Sequence, residues 1–568
     1  MRKIRDFLLK YKKIIFIGLF ICVPLISKKF ILGHDSLYHF SNIEALTQAI
    51  KDLNFTEITP LIANSFGYGG SIFYPKLPHY LLAIFSLILE VFGLSIKTAI
   101  SIGNILTIIL SGIFMNKLLD MLFNNKKVSI VGSCVYITMP YFISDIFVRS
   151  ALNESFLYMF MPLVLIGLIY LQENNIKKFY LYFIIGYIGM MGSHLVLSVY
   201  FTILVCIIIL INIKKFFTKS RFKHLLIASL ILLILILPKA ILMIEHKNLN
   251  IYGVFDSKLM GSTVAGVKSF SLSPMDFLIP NIYSDGINYF INIIVIIFGI
   301  FAVFYLLFKE KNKDKKTLIF SVTVFLCFSV FLSTKFFPYQ FIPKLLLSIQ
   351  FASRNHLFTC FALSIIFGYG LNIVISKYKK ASNAIIFLII ASSCFFAVLI
   401  VNNATYIENV VHDTYAGMGV QKEYLTTNAI KNIDYFETRG QEIKILSDDN
   451  NAKIKVIDNN VPNLKFKISK LKENQDVELE LPRLYYLGYD IQQQNGKETQ
   501  KINYKNSKNG FVKIKLDDNG IVTVNYTGTI FYRVSKLIRL IFILIFILVF
   551  LIKIIKNNTT KLQICRNK

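Results

Sequence analysis

The chain is 568 residues long, 55% hydrophobic and free of tryptophan, and its mean hydropathy of +0.57 is too apolar for an ordinary soluble protein of that length. The formal charge of +29 does not mark a nucleic-acid partner, because the lysines and arginines cluster between apolar runs instead of covering one folded face. Composition therefore predicts a mainly α-helical, multi-pass membrane protein, with the lipid bilayer as its first partner.

Apolar runs near 14–26, 98–122, 128–144, 155–171, 179–193, 195–213, 225–242, 290–308, 317–333, 357–375, 383–401 and 537–555 are each about long enough to cross, which gives about twelve transmembrane helices. The first follows a basic stretch as a signal peptide does, but it lacks a small-x-small cleavage site and reads as a retained anchor. "MRKIRDFLLKYKK", "NNKK" (124–127), "NNIKK" (174–178), "IKKFFTKSRFK" (213–223), "KEKNKDKK" (309–316), "SKYKK" (376–380) and the tail after Lys553 fall at alternate ends of consecutive helices. All are then cytoplasmic at once, with both termini inside a cell membrane. This requires that 76–93, "KLPHYLLAIFSLILEVFG", lie in the interface as an amphipathic helix within a first outer loop, 33–97. Residues 33–75 and 402–533 are then extracytoplasmic.

The predicted organisation is a polytopic core over 1–401, an outer β-rich domain over 402–533, a last transmembrane helix over 534–557 and a cytoplasmic tail over 558–568. Two-residue alternation in "EIKILSDDNNAKIKVID", "NLKFKISKL", "DVELELP" and "GFVKIKLDDNGIVTVNY" predicts antiparallel strands of a β-sandwich-like domain. None of the seven cysteines (22, 134, 206, 327, 360, 394, 565) lies in that outer segment, so neither disulfides nor a metal cluster are indicated. No internal repeat favours an inverted-repeat transporter.

Polar residues that membrane packing does not explain gather at the outer helix ends. "GHDSLYHF" (33–40) places Asp35 and His39 four apart on one helical face, read either as a helix cap with solvated histidines or as a catalytic pair. Two side chains cannot complete a metal shell, so no metal ligands are assigned, and dependence on a divalent cation stays open. "SDIFVRSALNES" (144–155) brings Asp145, Arg149 and Glu154 together, either as an ion pair along a helix or with the planar Arg149 fork holding a phosphate. His194 in "GMMGSHLVLS" and Arg354 in "LSIQFASRNHLF" lie at further outer boundaries, as packing residue and interface anchor or as ligand contacts. One topology puts all of them on the same side.

An acid after the first span, an amphipathic "YPKLPHYLLAIF" (74–85) and a "DIFVR…E" loop resemble the GT-C superfamily of polytopic glycosyltransferases. The chain is closer still to bacterial YfhO-like proteins and to those carrying a 6-pyruvoyl-tetrahydropterin synthase-related domain, through Gly33-Asp35-His39, Tyr74-Pro75-Leu77-Tyr80, Phe147-Val148-Arg149-Ala151-Glu154, "GVQKEYL" (419–425) and "LPRLYYLGYDIQQQNGKE" (481–498). "QFASRNH" (350–356) departs from the more aromatic stretch expected there, and no soluble zinc-histidine pterin fold is present.

The resemblance implies transfer of a sugar from a polyprenyl-phosphate carrier to a surface glycan or lipid acceptor on the outer side, with inversion. A polyprenyl-phosphate glycosyltransferase and a flippase would supply the donor. Asp35 is then the base, and Arg149 holds phosphate. Glu154 or Asp145 orients Arg149 or the sugar, and His39, His194, Tyr74 and Arg354 contact substrate. The prenyl chain would lie beside helix 76–93. A lysine-, isoleucine- and asparagine-rich composition hints at a low-GC bacterium and a teichoic-acid-like acceptor. The rival readings are a lipid-linked sugar flippase, which binds the same head group without breaking a bond, and a scaffold that displays the outer domain.

Overall fold

All twelve apolar runs fall on helices, as they must if an apolar environment forces each backbone N–H and C=O to be paired within its own segment. In the computed structural model the described residues are 2–27, 29–281, 286–344, 346–411, 413, 415–419, 422–447, 452–470 and 476–566. The main helices are α1 (Arg2–Ile21), α2 (Ser36–Lys51), α3 (Leu77–Glu90), α4 (Ile96–Phe123), α5 (Lys126–Ile137), α6 (Pro140–Phe147), α7 (Leu152–Gln172), α8 (Ile176–Ser193), α9 (Leu195–Ile211), α10 (Lys219–Leu249), α11 (Ile293–Phe308), α12 (Lys313–Ser333), α13 (His356–Lys377), α14 (Ser382–Asn403) and α15 (Ile530–Arg566).

Among the described residues six segments are long and apolar enough to cross a membrane: α4, α7, α10, α12, Ala352–Lys377 and α14. The α5–α6 pair makes a seventh if counted as one span, bent by 45°. The bend comes just before Pro140, which lacks the N–H to continue the α5 ladder. The expected twelve spans are thus supported for six or seven. α3, α9 and α11 are shorter apolar helices. At 14 residues, α3 reaches about 21 Å at 1.5 Å per residue, short of a core about 30 Å thick, which fits the interfacial placement.

The chain divides into two compact units. The first comprises residues 1–55, 59–225 and 253–425. In it α7 and α8 meet at glycines: a Cβ on Gly167 would fall 2.8 Å from the Phe183 backbone nitrogen, and one on Gly186 would fall 3.0 Å from that of Val164. Small residues permit that backbone approach. A short antiparallel ladder, β1 (Phe30–Ile31) with β2 (Tyr406–Ile407), ties the segment between α1 and α2 to the segment after α14.

The second unit comprises 56–58, 226–252 and 426–568. The strands begin at Lys444, and residues 404–425 group with the first unit, so the β-rich region is narrower than the predicted 402–533. Its strands are β3 (Lys444–Ile445), β4 (Ala452–Asp458), β5 (Leu464–Lys470), β6 (Val477–Leu484), β7 (Tyr489–Asn495), β8 (Glu498–Lys501), β9 (Tyr504–Asn506), β10 (Phe511–Leu516) and β11 (Gly520–Tyr526). They form two antiparallel sheets, ordered β3-β6-β10-β9 and β4-β5-β11-β7-β8. The alternation seen in the sequence buries Phe466, Ile468, Val522 and Val524 on one face of the five-stranded sheet while the intervening residues face solvent.

Candidate functional site

The two motifs singled out in the sequence are joined through their backbones. His34 N–H donates to Val148 O (3.2 Å) and Asp35 N–H to Arg149 O (2.9 Å). Ser36 Oγ accepts from Gly33 N–H (2.6 Å) and donates to Ser150 Oγ (2.9 Å). Gly33 is required by this approach: a Cβ there would lie 2.5 Å from Val148 O and 2.9 Å from Ser150 N. The docking sets Asp35 immediately beside the Arg149 loop.

Asp35 precedes the first residue of α2, yet its side chain makes no capping hydrogen bond. The cap reading therefore loses its stabilising contact. The Asp35 carboxylate has no hydrogen bond or ion pair within the protein among the described residues. Loss of hydration raises its pKa, against the pull of Arg149 and Arg354, whose charges bear directly on it.

Behind it lies a buried charge cluster. Arg149 donates from Nη1 to Asp145 Oδ1 (2.6 Å) and Glu154 Oε2 (2.8 Å), and from Nη2 to Glu154 Oε1 (2.8 Å). Tyr141 Oη lies 3.4 Å from the same Nη1. Arg354 Nε stands 2.9 Å from Glu154 Oε1, in ion-pair range though poorly aligned for a hydrogen bond. Its Nη1 donates to Ile349 O (2.8 Å) and Gln350 Oε1 (2.9 Å), and the guanidinium covers the Phe351 ring at 4.6 Å. Arg354 Nη2 has no partner among the described residues. Two arginines and two carboxylates thus balance, with Glu154 shared between the cations. Both Nη atoms of Arg149 are engaged by its acids, whereas Nη2 of Arg354 is not.

An aromatic wall completes the site. Tyr38 packs edge-on against Tyr74 (6.3 Å) and His79 (6.2 Å), and Tyr74 packs edge-on against His194 (6.0 Å) and stacks on Tyr424 (6.4 Å). Asn153 Nδ2 fixes this wall by donating to Pro75 O (2.9 Å) and Ser193 O (2.7 Å). His194 Nδ1 accepts from Leu197 N–H at the start of α9 (3.3 Å). His39 turns from Asp35 to His79, Nδ1 to Nε2 at 2.9 Å, and burial with nearby Lys76 holds its imidazole down at about 3. The Asp35–His39 pair expected from the four-residue spacing is replaced by a neutral imidazole pair.

Three residues of the site carried no assigned role in the sequence reading: His79, the unpartnered buried hydroxyl of Tyr38, and Glu423. Glu423 sits 388 positions from Asp35, and only the fold makes the two carboxylates feel each other. Residues 420 and 421 of the "GVQKEYL" segment lie outside the described residues. Among the described residues no three His, Cys, Asp or Glu side chains gather as metal ligands.

Burial, with a smaller push from Asp35, lifts the Glu423 carboxyl from 4.5 to about 7. Since the folded state then binds the proton more tightly than the unfolded chain, this group favours folding below about pH 4.5. The contribution is lost as pH rises through about 7. Thermal melts in neutral detergent should show Tm falling between those limits, with a flatter fall in Glu423→Gln; an unchanged slope in the variant would assign the dependence to other groups.

No family model matches the chain, and no curated protein matches it. Among solved structures it is similar to the Archaeoglobus fulgidus oligosaccharyltransferase in its apo form, at 12% identity and a TM-score of 0.40. The match covers 76% of this chain and 58% of that one, so the chain spans less than two thirds of that protein's length.

Proposed function

We propose that the protein is a membrane glycosyltransferase that moves a sugar from a polyprenyl-phosphate carrier to an acceptor hydroxyl on the outer side of the membrane. The observation that carries this reading is the unpartnered Asp35 carboxylate set beside Arg354, whose Nη2 is also unengaged. In the reaction the acceptor oxygen forms its bond to the anomeric carbon while the bond from that carbon to the phosphate oxygen breaks. The electron pair leaves with the phosphate, and the hydroxyl proton passes to Asp35. Arg354 Nη2 meets the charge growing on the leaving phosphate, while Arg149 holds Glu154 and Asp145 in place as a positioning residue. Tyr38, Tyr74, His194 and Glu423 line the space for sugar and acceptor. The chemistry leaves open a divalent cation that assists the phosphate.

A second reading is supported by the 45° break between α5 and α6, directly before the Arg149 loop. Broken helices beside ionisable groups also serve lipid-linked sugar transporters. Proteoliposomes loaded with a labelled polyprenyl-phosphate sugar and a mixed glycan acceptor separate the two. The transferase releases free polyprenyl phosphate, whereas movement of intact sugar-lipid between leaflets without release would establish the transporter.

A further inference from the structure

The exposed face of the five-stranded sheet carries an excess of lysines, Lys453, Lys455, Lys465, Lys467 and Lys501, over the acids Asp458 and Asp490. Strand register sets two rows across it. One runs Lys455, Lys467, Ile521, Gln494 and Thr499. The other runs Asp458, Lys465, Thr523, Gln492 and Lys501, and Lys453 extends the first lysine pair along β4. Lys455 and Lys467 are directly opposite each other, an arrangement that disfavours the sheet. None of the five lysines makes an ion pair or hydrogen bond among the described residues. The other sheet is treated differently. There Lys513 pairs with Glu478 at 3.2 Å and Lys515 with Asp476 at 2.5 Å.

We propose that this face is a binding surface for an acidic polysaccharide, one bearing carboxylate or phosphodiester groups. Adjacent strands are about 4.8 Å apart and alternate residues about 6.8 Å apart, so the ammonium groups recur at about the spacing of charges on a chain of sugars. Of the remaining members of the rows, Gln492, Gln494, Thr499 and Thr523 offer amides and hydroxyls suited to sugar hydroxyls, while Ile521 interrupts the first row. No aromatic side chain occupies either row, so the face lacks the inserting group that an interface with lipid uses. Retention of an acidic glycan here does not depend on the transferase reading, because binding is read without turnover.

The test uses the full chain in neutral-lipid nanodiscs, with fluorescent polygalacturonate as the acidic probe, dextran as the neutral one, and vesicles containing anionic lipid as the competing surface. The expected result is that polygalacturonate binds at least about tenfold more tightly than dextran, with affinity falling as salt shortens the screening length. Lys455→Glu with Lys467→Glu should weaken it about tenfold, whereas Lys513→Gln with Lys515→Gln on the other sheet should not. The charge-reversed protein should keep its Tm, since the substitutions exchange one exposed like-charge pair for another; if it does not fold, Lys453→Gln with Lys501→Gln supplies the comparison. Equal binding of both glycans, equal loss in both pairs of variants, or preference for anionic vesicles would each overturn the proposal.

Discussion

Asp35→Asn is expected to reduce sugar transfer from a labelled polyprenyl-phosphate donor by about 10²- to 10⁴-fold, the range over which a positioned general base acts. The protein itself should tolerate the change. Asp35 contributes its backbone N–H to Arg149 O, which asparagine retains, and its carboxylate makes no cap or ion pair whose loss would unfold anything. The carboxamide also fits the same space. A correctly inserted variant with an unaltered Tm and lost transfer would assign the proton acceptor to Asp35. Full activity in such a variant would remove it and turn attention to Glu423. Donor binding should survive, because Arg354 and the aromatic wall are untouched; the loss should appear in kcat more than in KM.

What the sequence revealed of this site follows from what local pattern can encode. Hydropathy located the helices that carry the twelve apolar runs, since the demand for internal backbone pairing acts on every residue of such a run, but not the more polar α2. Two-residue alternation located β3 to β6, β10 and β11 for the same kind of local reason, and missed the shorter, more polar β7 to β9. Asp35, Asp145, Arg149 and Glu154 stood out because charges beside apolar boundaries are costly and therefore rare. Their mutual arrangement was less legible. Glu423 looks ordinary within its own segment, and only the return of the chain after α14 carries it to Asp35. The spacing of Asp35 and His39 gave the wrong partner, because a buried imidazole finds its hydrogen bond where packing puts one, here on His79. The span count is supported for six or seven segments; among the rest, α9 and α11, at 17 and 16 residues, rise about 24–26 Å, short of a core about 30 Å thick.

Glu154→Gln is expected to cause the larger structural effect, a destabilisation of about 3–5 kcal/mol, as for removal of one member of a buried ion pair. Glu154 is the hinge of the charge balance: its Oε1 alone meets Arg149 Nη2 and Arg354 Nε, and its side chain is 3% exposed. A carboxamide keeps one acceptor but presents an NH₂ to one of the two guanidinium groups, leaving two buried cations to share Asp145. Asp145→Asn should cost less, because Arg149 would still hold Glu154 through two parallel bonds. The origin of the loss can be isolated by removing a cation as well. In Glu154→Gln with Arg354→Gln one positive charge goes with the negative one, so the double variant should melt above the sum of the two single losses. Strict additivity would show that Glu154 and Arg354 do not share charge in the folded protein. Recovery of stability without recovery of transfer would then separate the two duties of Arg354, balancing Glu154 and meeting the leaving phosphate.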